Sequence, residues 1–227
     1  MQARIISLPE MRDRRFVFKD RGHSGAVIAK MLADDQLGEA VVFGIPAGGV
    51  PVALPISEAL AIPFDVAVVS KITLPWSTEA GYGAIAFDGT IRMNEMLLAR
   101  LNLKRSQIEK DMEKTMEKVR RRDTRLRGTR PFPSLKNKTA VLVDDGLASG
   151  FTMFCAIDAM KNKGAQRIRV AVPTAHEEAA EAAARLVDRL YCPNIRSGMP
   201  FAVAEAYERW HDVSDEELMG MLTKKNL

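Results

Sequence analysis

From residue 40 onward, short runs of apolar and β-branched residues alternate with longer stretches whose apolar positions recur at helical spacing. The runs with the composition of strands are 40–45, 64–71, 82–87, 139–144, 167–173 and 188–192. Because they are apolar on both faces, these strands are typical of a parallel sheet that helices cover on both sides. The pattern predicts an α/β fold with a mainly parallel central sheet.

Helices are predicted before and between the strands, at 21–34, 50–60, 94–101, 151–163 and 177–186. A longer helix at 106–127 stands outside the alternation and begins with the capping-box sequence Ser106-x-x-Glu109. Its narrow apolar stripe fits either packing within the chain or pairing of two subunits into a homodimer. The spacing does not separate these alternatives.

The C-terminal segment contains a second capping-box sequence, Ser214-x-x-Glu217, and is expected to fold over the end of the sheet. We interpret the chain as one domain over residues 1–227. The long helix is an insertion at about 104–128, and the C-terminal segment is an appendage at about 194–227.

The amino-acid composition excludes several classes of protein but does not indicate a particular function. Of the 227 residues, 47% are apolar and 27% are charged, which is ordinary for a globular chain and excludes disordered and fibrous classes. Cys155 and Cys192 allow at most one bridge, and no Cys/His cluster indicates structural zinc. The net charge of +4 suits anionic small molecules and is not in itself an indication of nucleic acid.

No segment of the sequence is typical of secretion or of a membrane anchor. The first residues are charged and lack an apolar signal region, so a cytoplasmic location is expected. The longest uncharged run, 40–57, is interrupted by several glycines and prolines and is therefore not predicted to span a membrane.

The candidate chemistry is concentrated at 139–153, where an apolar strand ends at two adjacent carboxylates, Asp144 and Asp145. Ligands bind at the carboxyl edge of open α/β sheets. The next residues are small or hydroxylic and lead directly into a helix: Gly146, Leu147, Ala148, Ser149, Gly150, Phe151 and Thr152. Converging backbone N–H groups and a helix N-terminus favour phosphate. Two acids beside a phosphate cradle indicate a phosphorylated sugar.

The strand, its paired acids and the following loop resemble the ribose-phosphate signature of type I phosphoribosyltransferases, and the resemblance extends over about residues 18–210. It implies the type I phosphoribosyltransferase fold, with helices on both faces of the sheet and a small hood. It also implies that Asp144 and Asp145 bind the ribose hydroxyls of phosphoribosyl pyrophosphate. Residues 146–152 would bind the 5-phosphate.

A glycine-rich segment, Gly44-x-Pro46-x-Gly48-Gly49-Val-Pro-Val-Ala, strengthens the resemblance to one bacterial and archaeal branch of the family. The resemblance implies that Ala47, Gly48 and Gly49 bind pyrophosphate, with a cis peptide at Pro46–Ala47 or Ala47–Gly48. It assigns Lys71 to the same anion, so that Lys71, Asp144 and Asp145 are the candidate catalytic residues. Relatives usually carry a basic residue at Ala47 and, in this branch, an arginine at Ser70.

Residues 72–83 resemble the mobile loop that closes over the active site in this family. Trp76, Glu79 and Tyr82 are its candidate substrate contacts. A solvated loop anchored by one tryptophan is the alternative.

The resemblance implies a phosphoribosyltransferase that transfers the phosphoribosyl group to an acceptor nitrogen of a nucleobase or related amine and releases pyrophosphate. Mg²⁺ would be held mainly by substrate and water. The alternative function is a non-catalytic regulatory protein that binds phosphoribosyl pyrophosphate or a nucleotide and associates with RNA. Ala47 and Ser70 favour that alternative. The arginines at 120–130 are predicted to form a solvated helix face rather than a nucleic-acid site.

Overall fold

The protein is described by a computed structural model that covers residues 4–74 and 81–225. The strands are β1 (Arg4–Ile6), β2 (Ala40–Gly44), β3 (Phe64–Val66), β4 (Val69–Thr73), β5 (Gly81–Ala86), β6 (Ile91–Met93), β7 (Thr139–Val143), β8 (Arg167–Ala171), β9 (Thr174–His176), β10 (Arg189–Tyr191) and β11 (Asn194–Arg196). The α-helices are α1 (Arg21–Ala33), α2 (Gly49–Leu60), α3 (Glu95–Leu98), α4 (Arg105–Arg127), α5 (Phe151–Asn162), α6 (Glu177–Ala184) and α7 (Asp215–Lys224).

The central sheet has the order β1-β10-β8-β7-β2-β3, and every neighbouring pair in it is parallel. Strand β7 lies inside this sheet and is buried along its whole length. Its alternate residues face opposite sides: Ala140 and Leu142 pack with α5 and α6, while Val141 and Val143 pack with α1 and α2. The predicted α/β fold, with a mainly parallel sheet between helical layers, is confirmed.

Two strand predictions need correction. The predicted strand 64–71 divides into β3, which pairs with β2, and β4, which leaves the central sheet. The predicted strand 82–87 belongs with β4 and β6 to a separate three-stranded antiparallel sheet. The reason is chain length, because a parallel crossover needs a dozen or more residues and far fewer separate Thr73 from Gly81.

The long helix α4 packs its apolar stripe inside the chain, where Val119 is buried and Ile108, Met112 and Met116 are partly buried against the same core as α1 and α2. The predicted capping box at Ser106 is wrong. The helix begins one residue earlier, its N-cap is Lys104, and Arg105 instead binds Glu109 through an Nε–Oε1 contact of 2.9 Å.

The C-terminal segment folds back over the carboxyl edge of the central sheet, as predicted. Phe18 pairs with Tyr207 as an isolated parallel bridge, and the Phe18 amide donates to the Ala206 carbonyl at 3.0 Å. The capping box of α7 is confirmed, because the Ser214 hydroxyl accepts from the Glu217 amide and the Glu217 side chain accepts from the Ser214 amide. Across the described residues, no helix has the length and apolar character needed to cross a membrane.

Candidate active site

Strand β7 delivers Asp144 and Asp145 to the carboxyl edge of the central sheet, and the loop after them leads into α5. The loop is fixed in the middle, because the Leu147 amide donates to the Thr174 carbonyl and the Leu147 carbonyl accepts from the His176 amide, both at 2.9 Å. Gly150 ends the loop with a φ of 78°, a left-handed conformation that disfavours other residues. The loop backbone therefore enters the N-terminus of α5 in a fixed geometry.

A cavity of about 170 Å³ lies at this edge of the sheet. Its walls are Lys71, Asp144, Asp145, Gly146, Leu147, Ala148, Ser149, Gly150, Thr152, Met153 and Val203. The structure thus brings Lys71, from the antiparallel sheet, together with the acids and loop that follow β7. Phe151 begins α5 and does not line this cavity. Met153 and Val203 are wall residues that the sequence reasoning missed.

Asp145 is held by an arginine from the beginning of α1. Arg21 donates from Nε to Asp145 Oδ2 at 3.0 Å, and Arg21 Nη2 lies 2.9 Å from the same oxygen as an ion pair. The Arg21 side chain is only 8% exposed and that of Asp145 18% exposed, so the ion pair is largely withdrawn from water. The Asp145 amide in turn donates to Asp144 Oδ1 at 2.9 Å, which links the two acids.

The C-terminal segment completes the surroundings of Asp145. The Tyr207 hydroxyl donates to the Asp145 carbonyl at 2.7 Å, and Arg21 Nη1 donates to the His211 carbonyl at 2.9 Å. The Trp210 ring lies over the Arg21 guanidinium, with 3.8 Å between Cζ and the ring centroid. This distance is within the range of a cation–π contact.

Electrostatics differ between the two acids. Burial, and then the neighbouring charge of Asp145, hold the pKa of Asp144 well above its usual range, although Lys71 and Arg21 oppose that rise. Burial also raises the pKa of Asp145, but the Arg21 charge and its hydrogen bonds pull that pKa back down. Burial raises the pKa of Tyr207 as well, so its hydroxyl remains a donor.

The glycine-rich segment lies directly against the paired acids. A Cβ atom on Gly48 would stand 1.8 Å from Asp145 Oδ2, so only glycine allows this approach. The Pro46–Ala47 peptide is cis, one of the two positions that the sequence predicted. Arg122 of α4 reaches the same segment from outside, with Nη1 3.5 Å from the Pro46 carbonyl oxygen.

Of the three predicted substrate contacts in the mobile loop, the structure describes only Tyr82. Trp76 and Glu79 lie outside the described residues. Tyr82 is a correction, because it belongs to β5, is fully buried, and donates its hydroxyl to Asp111 Oδ2 of α4 at 2.9 Å. It therefore joins the antiparallel sheet to the long helix instead of lining the cavity.

Arg21, Tyr207 and Trp210 are the site neighbours that sequence reasoning did not single out. Arg122 was predicted on a solvated helix face, which is wrong for this residue, because its side chain is only 18% exposed and pairs with Asp215. The sequence indicated only the regions in which Arg21, Tyr207 and Trp210 lie. The C-terminal segment was expected to cover the end of the sheet, and Asp20 precedes a predicted helix. The structure shows that Asp20 is the N-cap of α1, accepting from the His23 amide at 2.9 Å, and this cap fixes where Arg21 begins the helix.

Comparison with known proteins shows the family to which the chain belongs. The family described as "Phosphoribosyl transferase domain" matches residues 88–206. The chain is 32% identical over 208 residues to "Putative phosphoribosyl transferase Rv0571c" of Mycobacterium tuberculosis (strain ATCC 25618 / H37Rv). That match covers 92% of this chain and 47% of the relative, so the chain spans about half the length of the curated relatives it matches. The chain belongs to the phosphoribosyltransferase family.

Solved structures show the same architecture. TT1426 from Thermus thermophilus is 33% identical, with a TM-score of 0.72, over 91% of this chain and 98% of that one. The AQ2163 protein from Aquifex aeolicus, at 13% identity, has a TM-score of 0.51 over 85% of this chain and 87% of its own, which shows a shared fold alone.

Proposed function

We propose that the protein is a cytoplasmic phosphoribosyltransferase that binds phosphoribosyl pyrophosphate and transfers its phosphoribosyl group to an acceptor nitrogen. The observation that carries this proposal is the cavity in which Asp144, Asp145, Lys71 and the loop before α5 meet. Two carboxylates accept hydrogen bonds from sugar hydroxyls, and a glycine-containing loop at a helix N-terminus binds phosphate. Both parts of a ribose 5-phosphate are thereby matched.

In the proposed complex, Asp144 and Asp145 accept hydrogen bonds from the ribose 2- and 3-hydroxyls. The amides of the 146–152 loop and the hydroxyls of Ser149 and Thr152 bind the 5-phosphate. Leu147 is buried and anchored to β9, whereas Ala148 and Ser149 are exposed, so the part of the loop offered to the ligand rests on a fixed support. Such a rigid support positions the ribose before reaction.

The pyrophosphate would lie between the glycine-rich segment and Lys71. Gly48 is the N-cap of α2 and Gly49 its first residue, so the positive end of the helix dipole favours an anion there, and Lys71 would add a charge from the cavity wall. As the acceptor nitrogen attacks the ribose anomeric carbon, the bond to pyrophosphate breaks and its electron pair leaves with that group. The protein then contributes position and charge, without forming a covalent bond to the sugar.

Magnesium fits this site as a companion of the substrate. Within the ranges 4–74 and 81–225, no group of three or more His, Cys, Asp or Glu side chains could hold a metal ion. Mg²⁺ retains several waters and binds substrate phosphates readily. Bound to pyrophosphate oxygens, Mg²⁺ would offset part of the negative charge of the leaving group. Lys71 would supply the positive charge that the protein itself contributes.

The second candidate is a protein that binds phosphoribosyl pyrophosphate without catalysis and acts as a regulator. It is favoured by Ala47, which brings no charge to the pyrophosphate segment, and by Ser70, which is buried in β4. Lys71 at the cavity wall favours the enzyme.

A screen for pyrophosphate release separates the two functions. The protein, phosphoribosyl pyrophosphate and Mg²⁺ are incubated with single nucleobases and small amines, and pyrophosphate is measured. Release that depends on one acceptor supports the transferase. Binding of phosphoribosyl pyrophosphate by calorimetry without release for any acceptor supports the regulator, and absence of binding contradicts both.

A further inference from the structure

Arg21 makes several contacts with residues of the site, although the proposed function gives it no role. It begins α1, it is buried, and all three of its guanidinium nitrogens are engaged. Nε and Nη2 bind Asp145 Oδ2, while Nη1 binds the His211 carbonyl. A buried arginine held at each nitrogen has a fixed position and imposes that position on its partner.

The face of the Arg21 guanidinium is also covered. Trp210 lies 3.8 Å above it, and Tyr207 fixes the backbone of the partner residue through the Asp145 carbonyl. The carboxylate and the main chain of Asp145 are therefore both held by groups from outside β7. Both Arg21 donors reach Oδ2, on the side where the carboxylate also meets Gly48.

We propose that Arg21 is a positioning residue that keeps Asp145 ionised and orients its carboxylate so that Oδ1 accepts a ribose hydroxyl. The inference rests on the proposed function, because it assumes that Asp145 binds the ribose. Arg21 acts through Asp145 and does not touch the ligand. Its charge offsets the burial that would otherwise favour the protonated acid.

The titratable groups around Asp145 come from several elements. Asp144 precedes it on the chain, Tyr207 binds its carbonyl, and Lys71 faces Asp144 from β4. His211 meets Arg21 only through its carbonyl, while its ring pairs with Glu217 at 2.9 Å. Arg21 is a positive group in direct contact with the Asp145 carboxylate. Without Arg21, burial would therefore raise the pKa of Asp145 further.

The test measures the affinity for phosphoribosyl pyrophosphate by calorimetry between pH 5 and 9. In Arg21→Gln, we expect binding at pH 7 to weaken by about tenfold or more, with the acid midpoint of the affinity raised by about 1–3 pH units. Affinity should recover as the pH rises and the pair of acids ionises, because Arg21 lowers the pKa of both Asp144 and Asp145. The ligand's own phosphates titrate identically in every variant, so differences between variants belong to the protein.

Arg127→Gln is the matched control. Arg127 is also buried, binds Asp65 with Nε at 3.0 Å and Nη2 at 3.1 Å, and lies 5.0 Å from the Phe132 ring centroid, but it does not line the cavity. Losing it removes a similar buried ion pair and should lower the melting temperature without moving the pH midpoint. His211→Gln keeps the carbonyl and removes the ring, so it should also leave the midpoint unchanged.

Arg21→Lys separates charge from orientation and gives a second variant if Arg21→Gln does not fold. It keeps the charge but loses the contact that two guanidinium nitrogens make with Asp145 Oδ2, so we expect affinity about 3- to 10-fold weaker at every pH with an unmoved midpoint. Affinity equal to that of the unmodified protein would overturn the orienting role.

The two proposals fail in different ways. If the unmodified protein binds phosphoribosyl pyrophosphate and Arg21→Gln has an unchanged profile, the role of Arg21 is wrong and the proposed function stands. Tighter binding by Arg21→Gln would also overturn the role of Arg21, since it would mean that the ion pair competes with the ligand. If the unmodified protein does not bind the ligand, both proposals are wrong.

Discussion

Asp145 carries the proposed ribose contact and is also held by Arg21, Asp144 and Tyr207. In Asp145→Asn, an uncharged amide replaces the acceptor of a charge-assisted bond, which is worth about 1.5–3 kcal/mol. We expect phosphoribosyl pyrophosphate to bind roughly 10- to 100-fold more weakly. The amide oxygen can still accept from Arg21, but the buried Arg21 charge loses its counter-ion, so the fold should survive with a lowered melting temperature. Calorimetry with a thermal melt as the control decides the matter. Unchanged affinity would remove the ribose role, and a collapsed melting temperature would show a structural one.

Gly48 tests whether the glycine-rich segment and the paired acids form one site. A methyl group at this position would stand 1.8 Å from Asp145 Oδ2, so Gly48→Ala must displace the segment or the carboxylate. We expect affinity for both pyrophosphate and phosphoribosyl pyrophosphate to fall by at least about tenfold, equivalent to about 1.4 kcal/mol. Gly198→Ala is the control, because a Cβ there meets nothing within 4 Å. Equal affinities in the two variants would contradict the shared site.

Helix α4 shows how an arginine-rich element serves structure. Arg122 binds Asp215 at 2.8 Å, Arg125 binds Glu216 at 3.0 Å, and Arg127 binds Asp65. These pairs join α4 to α7 and to β3 and neutralise much of the positive charge. We expect no measurable RNA binding at physiological salt, by fluorescence anisotropy with a single-stranded RNA. Sub-micromolar binding that weakens steeply with salt would contradict this and favour the regulatory function.

Elements whose determinants are local could be predicted from the sequence. Strand β7 and helix α5 were predicted because an apolar run, a glycine-containing loop and a helical pattern follow one another within a short segment. The antiparallel pairing of β4 and β5 was missed because composition alone does not report strand direction. The Arg21–Asp145 pair joins residues 124 positions apart, and no local pattern in a single sequence encodes such a contact.

In the whole molecule, Asp144 of the candidate site is expected to lower the free energy of unfolding. Folding raises the pKa of Asp144, so the folded state binds its proton more tightly than the unfolded state does. The contribution of Asp144 to the free energy of unfolding is therefore most favourable at pH values below its pKa in the unfolded state. That contribution is lost as the pH rises through its pKa in the folded state. Asp144→Asn removes the penalty and keeps an acceptor for the Asp145 amide. We expect a higher melting temperature at pH 7.5, by about 2–4 °C for each kcal/mol regained.

The pH dependence provides the control for that prediction. The difference in melting temperature between Asp144→Asn and the unmodified protein should shrink as the pH falls toward 4, where Asp144 is protonated in the folded state. Affinity for phosphoribosyl pyrophosphate should decrease at the same time, because a ribose acceptor has lost its charge. A variant that is less stable at pH 7.5, or a difference in melting temperature that does not change with pH, would contradict the raised pKa of Asp144.

The contact between Arg21 and the His211 carbonyl joins residues 190 positions apart. During synthesis, every strand of the central sheet has been made once Tyr191 is added, yet Tyr207, Trp210 and His211 are still to come. A nascent chain at that stage holds both acids and the phosphate loop but leaves Arg21 without its cover. The ligand site therefore depends on residues made after the sheet that supports it, and a chain shortened to about residue 195 would contain every strand of the central sheet but lack the cover of Arg21.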